Sequence, residues 1–162
     1  MCHESSGVAL NESIGIGKGT VTLEDFNSAE LIIVVGQNPG TNHPRMLTAL
    51  RDAKKKGASI ISINPLTETG MKKFKHPQNP IEMLGFGSTI ADKHLKVKIN
   101  SDQALFRAFS KSVIESDNVD KNFIDKYTNG YEDYRKVVIK SDYNDISDIT
   151  GISLEEILDV GE

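Results

Sequence analysis

Cysteine is nearly missing from this chain of 162 residues: Cys2 is the only one. One cysteine cannot form an internal disulfide, cannot build a cysteine-based zinc site and cannot hold a four-cysteine iron–sulfur cluster within the chain. Long apolar runs are missing too. No stretch approaches the roughly 18 apolar residues of a membrane span, so none is expected. The amino-terminal stretch MCHESSGVAL has neither a basic region nor a long apolar one. It does not read as a signal peptide, and a cytoplasmic location is the default expectation. There is no basic excess: 19 Lys and Arg stand against 23 Asp and Glu, a net charge of −4. That balance argues against nucleic acid as the main partner, and Lys54-Lys55-Lys56 and Lys72-Lys73 read as solvated faces. Two nucleotide fingerprints are absent. The loop Gly36 to Thr41 reads GQNPGT, which is not GxGxxG. Gly15-Ile16-Gly17-Lys18-Gly19-Thr20 lacks the spacing and the Lys-Ser/Thr end of a Walker A loop, and reads as an exposed loop.

What is present centres on Leu31 to Pro44, LIIVVGQNPGTNHP. Leu31 to Val35 is a short β-branched run, which predicts a strand buried on both faces, as in parallel sheets. Gly36 to Asn42 is all turn chemistry. A helix is expected from about His43, with Asn42 as its N-cap and Pro44 in its first turn. Its apolar stripe is Met46, Leu47, Leu50 and Ala53, and Gly57 ends it. A strand, a glycine-bearing loop and a helix start gather bare amides at one place, which suits an anionic group. The plain alternative is an ordinary turn between a strand and a helix.

Ser59 to Ile63 predicts a second strand, stopped at Asn64-Pro65. The two strands and the intervening helix make a right-handed βαβ unit. A nicotinamide-binding fold would place Asp or Glu after that strand; here Asn64 stands there. Leu66 to Asp92 is long and irregular, and Met71, Phe74, Met83, Leu84 and Phe86 are expected to cover the sheet or face another domain. His94 to Ile99 alternates and predicts a third strand, with Leu95, Val97 and Ile99 inward. Ser101 is placed to cap a helix that Asp102 begins, with Leu105, Ala108, Phe109 and Val113 as its stripe. Further helices are expected over Asp120 to Tyr127, with Phe123, Ile124 and Tyr127 inward, and over Tyr131 to Ile139, using Tyr131, Tyr134 and Val138. A short helix is expected across Val8 to Ile14 and a short helical turn over Thr22 to Phe26. Ser153-Leu154-Glu155-Glu156 is a capping box, and a helix starting so near Glu162 reads as a cut. The expected fold is α/β, a three-layer Rossmann-like domain with a short, mainly parallel sheet flanked by helices. It is expected to form one domain over 1–162: a loop-rich lead-in over 1–27, a βαβ core over 28–116 and a helical end over 117–162.

The ordered set Cys2-His3, Gly36-Gln37-Asn38-Pro39 with His43-Pro44, Gly57 to Ile61, Asn64-Pro65, Asn129 to Lys136 and Asp148 to Ser153 resembles the molybdopterin-dependent oxidoreductases. The most similar group is the formate dehydrogenase-like alpha subunits. That resemblance implies an interior domain of a longer subunit, inactive alone, whose parent carries bis(molybdopterin guanine dinucleotide) with molybdenum or tungsten. It implies Cys2 as metal ligand and His3 as acid/base, a soft thiolate beside an imidazole able to take a proton. It implies that Gly36, Asn38, Thr41 and Asn42 face one guanine dinucleotide, with Asn64, Pro65 and Leu66 beside the nucleoside and Ser101 and Asp102 beside the guanine. Relatives usually have Asp-Pro-Arg where Asn64-Pro65-Leu66 stands, so one acid and one guanidinium are lost here. The implied partners are the remaining domains, an unspecified redox partner and a small-molecule substrate, formate among the candidates; any iron–sulfur cluster would lie outside this chain. Two other classes compete. One is a non-enzymatic Rossmann-like module that binds a nucleotide or a protein. The other is a thiol enzyme using Cys2 and His3, which adjacent residues seldom support.

Overall fold

The computed structural model describes residues 4–74 and 89–161. Cys2, His3, Met83, Leu84 and Phe86 lie outside the described residues. Helix α1 (Glu4–Ile14) and a 3-10 turn (Glu24–Asn27) lead to strand β1 (Leu31–Val35). Helices α2 (Pro39–Asn42) and α3 (Pro44–Lys55) carry the chain to β2 (Ser59–Ile63). A single turn, α4 (Thr69–Lys72), comes before β3 (Lys93–Leu95). Five helices follow: α5 (Asp102–Glu115), α6 (Lys121–Tyr127), α7 (Tyr131–Ile139), α8 (Tyr143–Thr150) and α9 (Leu154–Gly161).

The strands are parallel in the order β1-β2-β3, with Ile32 opposite Ile60 and Ile61 opposite Lys93. Alternation along the strands splits the core into two layers. Ile61, Ile63 and Leu95 pack with Leu105, Phe109, Ile146 and Ile157 from α5, α8 and α9. Val34 and Ile60 pack on the other face with Leu47 and Leu50 of α3 and with Met71. The expected three-layer α/β architecture is therefore present, and its central strand β2 is buried from Ile60 to Ile63.

Four local expectations need correction. β1 is an edge strand, so it is not buried throughout: Leu31 is 49% exposed and only Val34 is fully buried. Asn42 does not cap α3. His43 precedes a proline, which disfavours helical backbone; it sits at φ −141°, ψ 65°, takes the N-cap position of α3 itself and parts α3 from α2, a turn of helix where the sequence predicts loop. β3 ends at Leu95, where β2 runs out of partner residues, so Val97 stays buried but Ile99 is 85% exposed. Phe123, Tyr127 and Tyr134 are 55%, 65% and 50% exposed, because no described element covers the outer sides of α6 and α7.

Lys54 is not a free surface cation. Its ammonium donates to Asp92 Oδ1 at 2.7 Å and to the Ile90 carbonyl at 3.1 Å, and Asp92 Oδ2 accepts the Ile60 amide at 2.9 Å. Partial burial pushes the Asp92 carboxyl up, but Lys54 and the Ile60 amide outweigh it and hold it below the usual aspartate value. A lowered folded-state value adds stability above the ordinary aspartate range, which is lost as pH falls through the folded value. Asp92→Asn should therefore cost about 1 kcal/mol at pH 7, given its partial exposure, and the gap should close in acid, once pH has fallen below the ordinary aspartate value and through the lowered folded one. Urea unfolding at pH 7 and in acid checks this; a gap unchanged by acid would contradict it.

The expected capping box is formed. Ser153 Oγ accepts the Glu156 amide at 3.3 Å, and Glu156 Oε2 accepts the Ser153 amide at 3.1 Å. Helix α8, which the sequence reading did not resolve, starts at Asp142, whose Oδ1 accepts the amides of Asn144 and Asp145 at 2.7 and 3.2 Å. Tyr143 ties α8 to α5 by donating to Glu115 at 3.0 Å, with Lys111 4.4 Å from its ring centroid. Burial and the Glu115 carboxylate push the Tyr143 phenol up to about 12, so it remains a donor.

Candidate functional site

Parallel pairing sends the chain out of every strand at the same rim of the sheet. The connections that leave it hold Gly36 to Asn42 after β1, Asn64 to Glu68 after β2 and Lys96 to Ser101 after β3. Backbone bonds stitch this rim together: the Gly36 amide donates to the Ile63 carbonyl at 2.9 Å, and the Asn64 amide to the Leu95 carbonyl at 3.0 Å. Every expected cofactor residue falls in these connections or at their far end. Cys2 and His3 lie outside the described residues. Among the described residues no cluster of His, Cys, Asp and Glu could hold a metal ion, and no helix is long and apolar enough to cross a membrane.

The residues at the rim divide into exposed and committed ones. Gly36 sits at φ +63°, in the left-handed region that glycine adopts most easily, and a side chain there would meet open space. Thr41, Asn42, Pro65 and Leu66 are exposed, Leu66 at 70%. Asp102 is exposed at the start of α5, a helix long enough to carry a dipole. Ser101 is buried at 3% exposure, and its hydroxyl donates to the Lys98 carbonyl at 2.5 Å. It occupies the N-cap position of α5 as expected, but its side chain caps nothing. The bare amides expected beyond Gly36 are largely engaged. The amides of Thr41 and Asn42 donate to the Asn38 carbonyl, and that of His43 to the Pro39 carbonyl, at 3.0–3.1 Å.

Asn38 and Asn64 both turn toward protein. Asn38 Nδ2 donates to Glu68 Oε2 at 2.6 Å, and its Oδ1 accepts the Thr41 amide at 3.3 Å. Asn64 Nδ2 donates to the Gln37 carbonyl at 3.3 Å, and its Oδ1 accepts the Leu66 amide at 3.2 Å. Glu68 and Gln37 thus belong to the site, and neither is among the cofactor residues the sequence predicts. Glu68 heads a helix of four residues, too short to show a period.

A family model described as Molybdopterin oxidoreductase matches residues 4–157. An uncharacterized oxidoreductase of Mycobacterium tuberculosis is 44% identical over 97% of this chain and 21% of its own length. Formate dehydrogenase H of Escherichia coli is 32% identical over 96% of this chain and 19% of its own length. The chain thus spans about a fifth of the curated relatives it matches. The structure of acetylene hydratase from Pelobacter acetylenicus superposes with a TM-score of 0.73 over 99% of this chain and 19% of that one. At 21% identity that likeness shows the fold alone. With a family-model match running from Glu4 to Ile157, the chain belongs to the molybdopterin oxidoreductase family.

Proposed function

We propose that the chain is a single cofactor-binding domain of a longer oxidoreductase that carries bis(molybdopterin guanine dinucleotide) and one molybdenum or tungsten atom, with formate as its substrate. The observation that carries this reading is the convergence of the three strand exits on one rim, with small and polar exposed residues along it. The residues present fit the group. Gly36 leaves open space, Thr41 and Asn42 offer short polar side chains, and exposed Asp102 supplies a carboxylate. Guanine presents its N1–H and amino group side by side, and a carboxylate matches both donors. Pro65 and Leu66 would lie beside the nucleoside without the acid and guanidinium that relatives usually place there, and Ser101 would hold the turn that presents Asp102.

Cys2 would hold the metal, since a thiolate is a soft donor suited to a sulfur-rich metal. His3 would accept, on an imidazole nitrogen, the proton that leaves the substrate. When bound, the cofactor supplies a redox-active metal that takes the substrate's electrons. The remaining domains of the longer protein would close the site.

The test uses the intact parent, made in a host able to build the cofactor. Formate-dependent dye reduction should fall about 100-fold or more in Cys2→Ala and in His3→Ala, the range expected for losing an essential group. Guanine nucleotide released by acid should remain in the His3 variant. A metal-loaded wild type that does not oxidise formate would reject formate as substrate. Full turnover in either variant would reject that residue's role.

A further inference from the structure

The bonds of Asn38 and Asn64 are reciprocal. Each asparagine makes one bond within its own loop and one to the other: Asn38 reaches Glu68 in the loop after β2, and Asn64 reaches Gln37 in the loop after β1. Beside them two glycines bring the loops into backbone contact. A Cβ on Gly70 would stand 3.0 Å from Gly40 Cα and 3.3 Å from both Gly40 N and Leu47 Cδ1, and one on Gly40 would stand 3.3 Å from Gly70 Cα. A side chain at either position would crowd the facing backbone and require it to give by a few tenths of an ångström.

We propose that Asn38, Asn64 and Glu68, with Gly40 and Gly70, form a clasp that fixes the spacing of the two loops at the cofactor rim. Asn38 and Asn64 are positioning residues, and the ligand meets the exposed Thr41, Asn42 and Asp102. The function of the clasp rests on the cofactor reading; its existence rests on bonds within the protein. The Asn38–Glu68 bond carries most of it. It is short, its acceptor is a carboxylate, and it is partly buried. Asn38 also caps α2, so moving its amide moves the turn that presents Thr41 and Asn42.

A paired-variant test separates a clasp from a ligand contact. Asn38→Asp keeps the cap but sets a second carboxylate against Glu68. Glu68→Gln keeps an acceptor for the Asn38 amide. In the double variant the new amide donates to the new carboxylate, and the bond is restored with its direction reversed. Hydrogen exchange of the Thr41 to His43 amides and acid-released guanine nucleotide are measured on the same intact protein, with Ile60 to Ile63 as the internal control. Asn38→Asp should speed exchange at Thr41 to His43 about tenfold and at least halve the guanine content, Glu68→Gln should change both less than about twofold, and the double variant should recover both. Failure of Glu68→Gln to rescue Asn38→Asp, or no effect of Asn38→Asp, overturns the clasp. If Asn38→Asp does not fold, Glu68→Ala removes the bond without adding charge and should speed exchange about threefold; unchanged exchange overturns the proposal. A wild type without guanine nucleotide rejects the cofactor reading, while the exchange data still decide the clasp.

Discussion

Leu50→Ala lowers the unfolding free energy of the chain by about 2–5 kcal/mol, the range for removing a fully buried leucine side chain. Leu50 is completely buried at the centre of α3, packed in the layer that joins Val34 and Ile60 of the sheet to Leu47, Met71 and Ile90. Truncation removes apolar atoms and leaves a cavity between a helix and a central strand, where neither element can collapse freely. The consequence reaches the rim, because α3 starts where the β1 loop ends. The urea midpoint should drop at unchanged slope. Tyr134→Ala is the control. Its ring is half exposed and its hydroxyl donates to Ser110 at 2.8 Å, so its loss should cost less than about 1 kcal/mol. A Leu50→Ala variant no less stable than Tyr134→Ala would contradict the layer assignment.

Asp102→Ala, made in the intact parent, speeds loss of guanine nucleotide about 10- to 100-fold, from one or two hydrogen bonds to a charged group at about 1.5 kcal/mol or more each. The carboxylate is exposed at the first residue of α5, and Ser101 behind it is locked to Lys98. Asp102→Asn keeps the shape but offers only one acceptor atom, so its effect should fall between alanine and wild type. Nucleotide retained after timed dilution and gel filtration gives the rate. Equal retention by wild type and Asp102→Ala would remove Asp102 from the site.

The sheet and α3 were legible because their signals are local. Five apolar residues ending at Gly36, a stripe at Leu47, Leu50 and Ala53, and a second run ending at Asn64 need no distant partner to be read. Exposure was not legible in the same way. The period of α6 and α7 fixes which residues share a side, but Phe123 and Tyr134 are buried only where another element lies over them. Helix α8 was missed because its apolar residues are few among Ser, Asp and Asn, and its strongest cue is the Asp142 cap. At the rim, the types and positions of the candidate residues were readable from their place after each strand. Their bonds were not: Asn38 and Glu68 are 30 residues apart, Asn64 and Gln37 27, and nothing local in either loop announces the other. An asparagine in such a loop suits a diphosphate and a neighbouring carboxylate equally well.

The most direct measurement is joint assay of the intact parent for molybdenum and tungsten by elemental mass spectrometry and for guanine nucleotide released by acid. The wild type should carry two guanines per metal atom, and Asp102→Ala should carry less guanine. Folded wild-type protein from a cofactor-competent host that carries neither metal nor guanine would contradict it, and would leave a Rossmann-like binding module in its place.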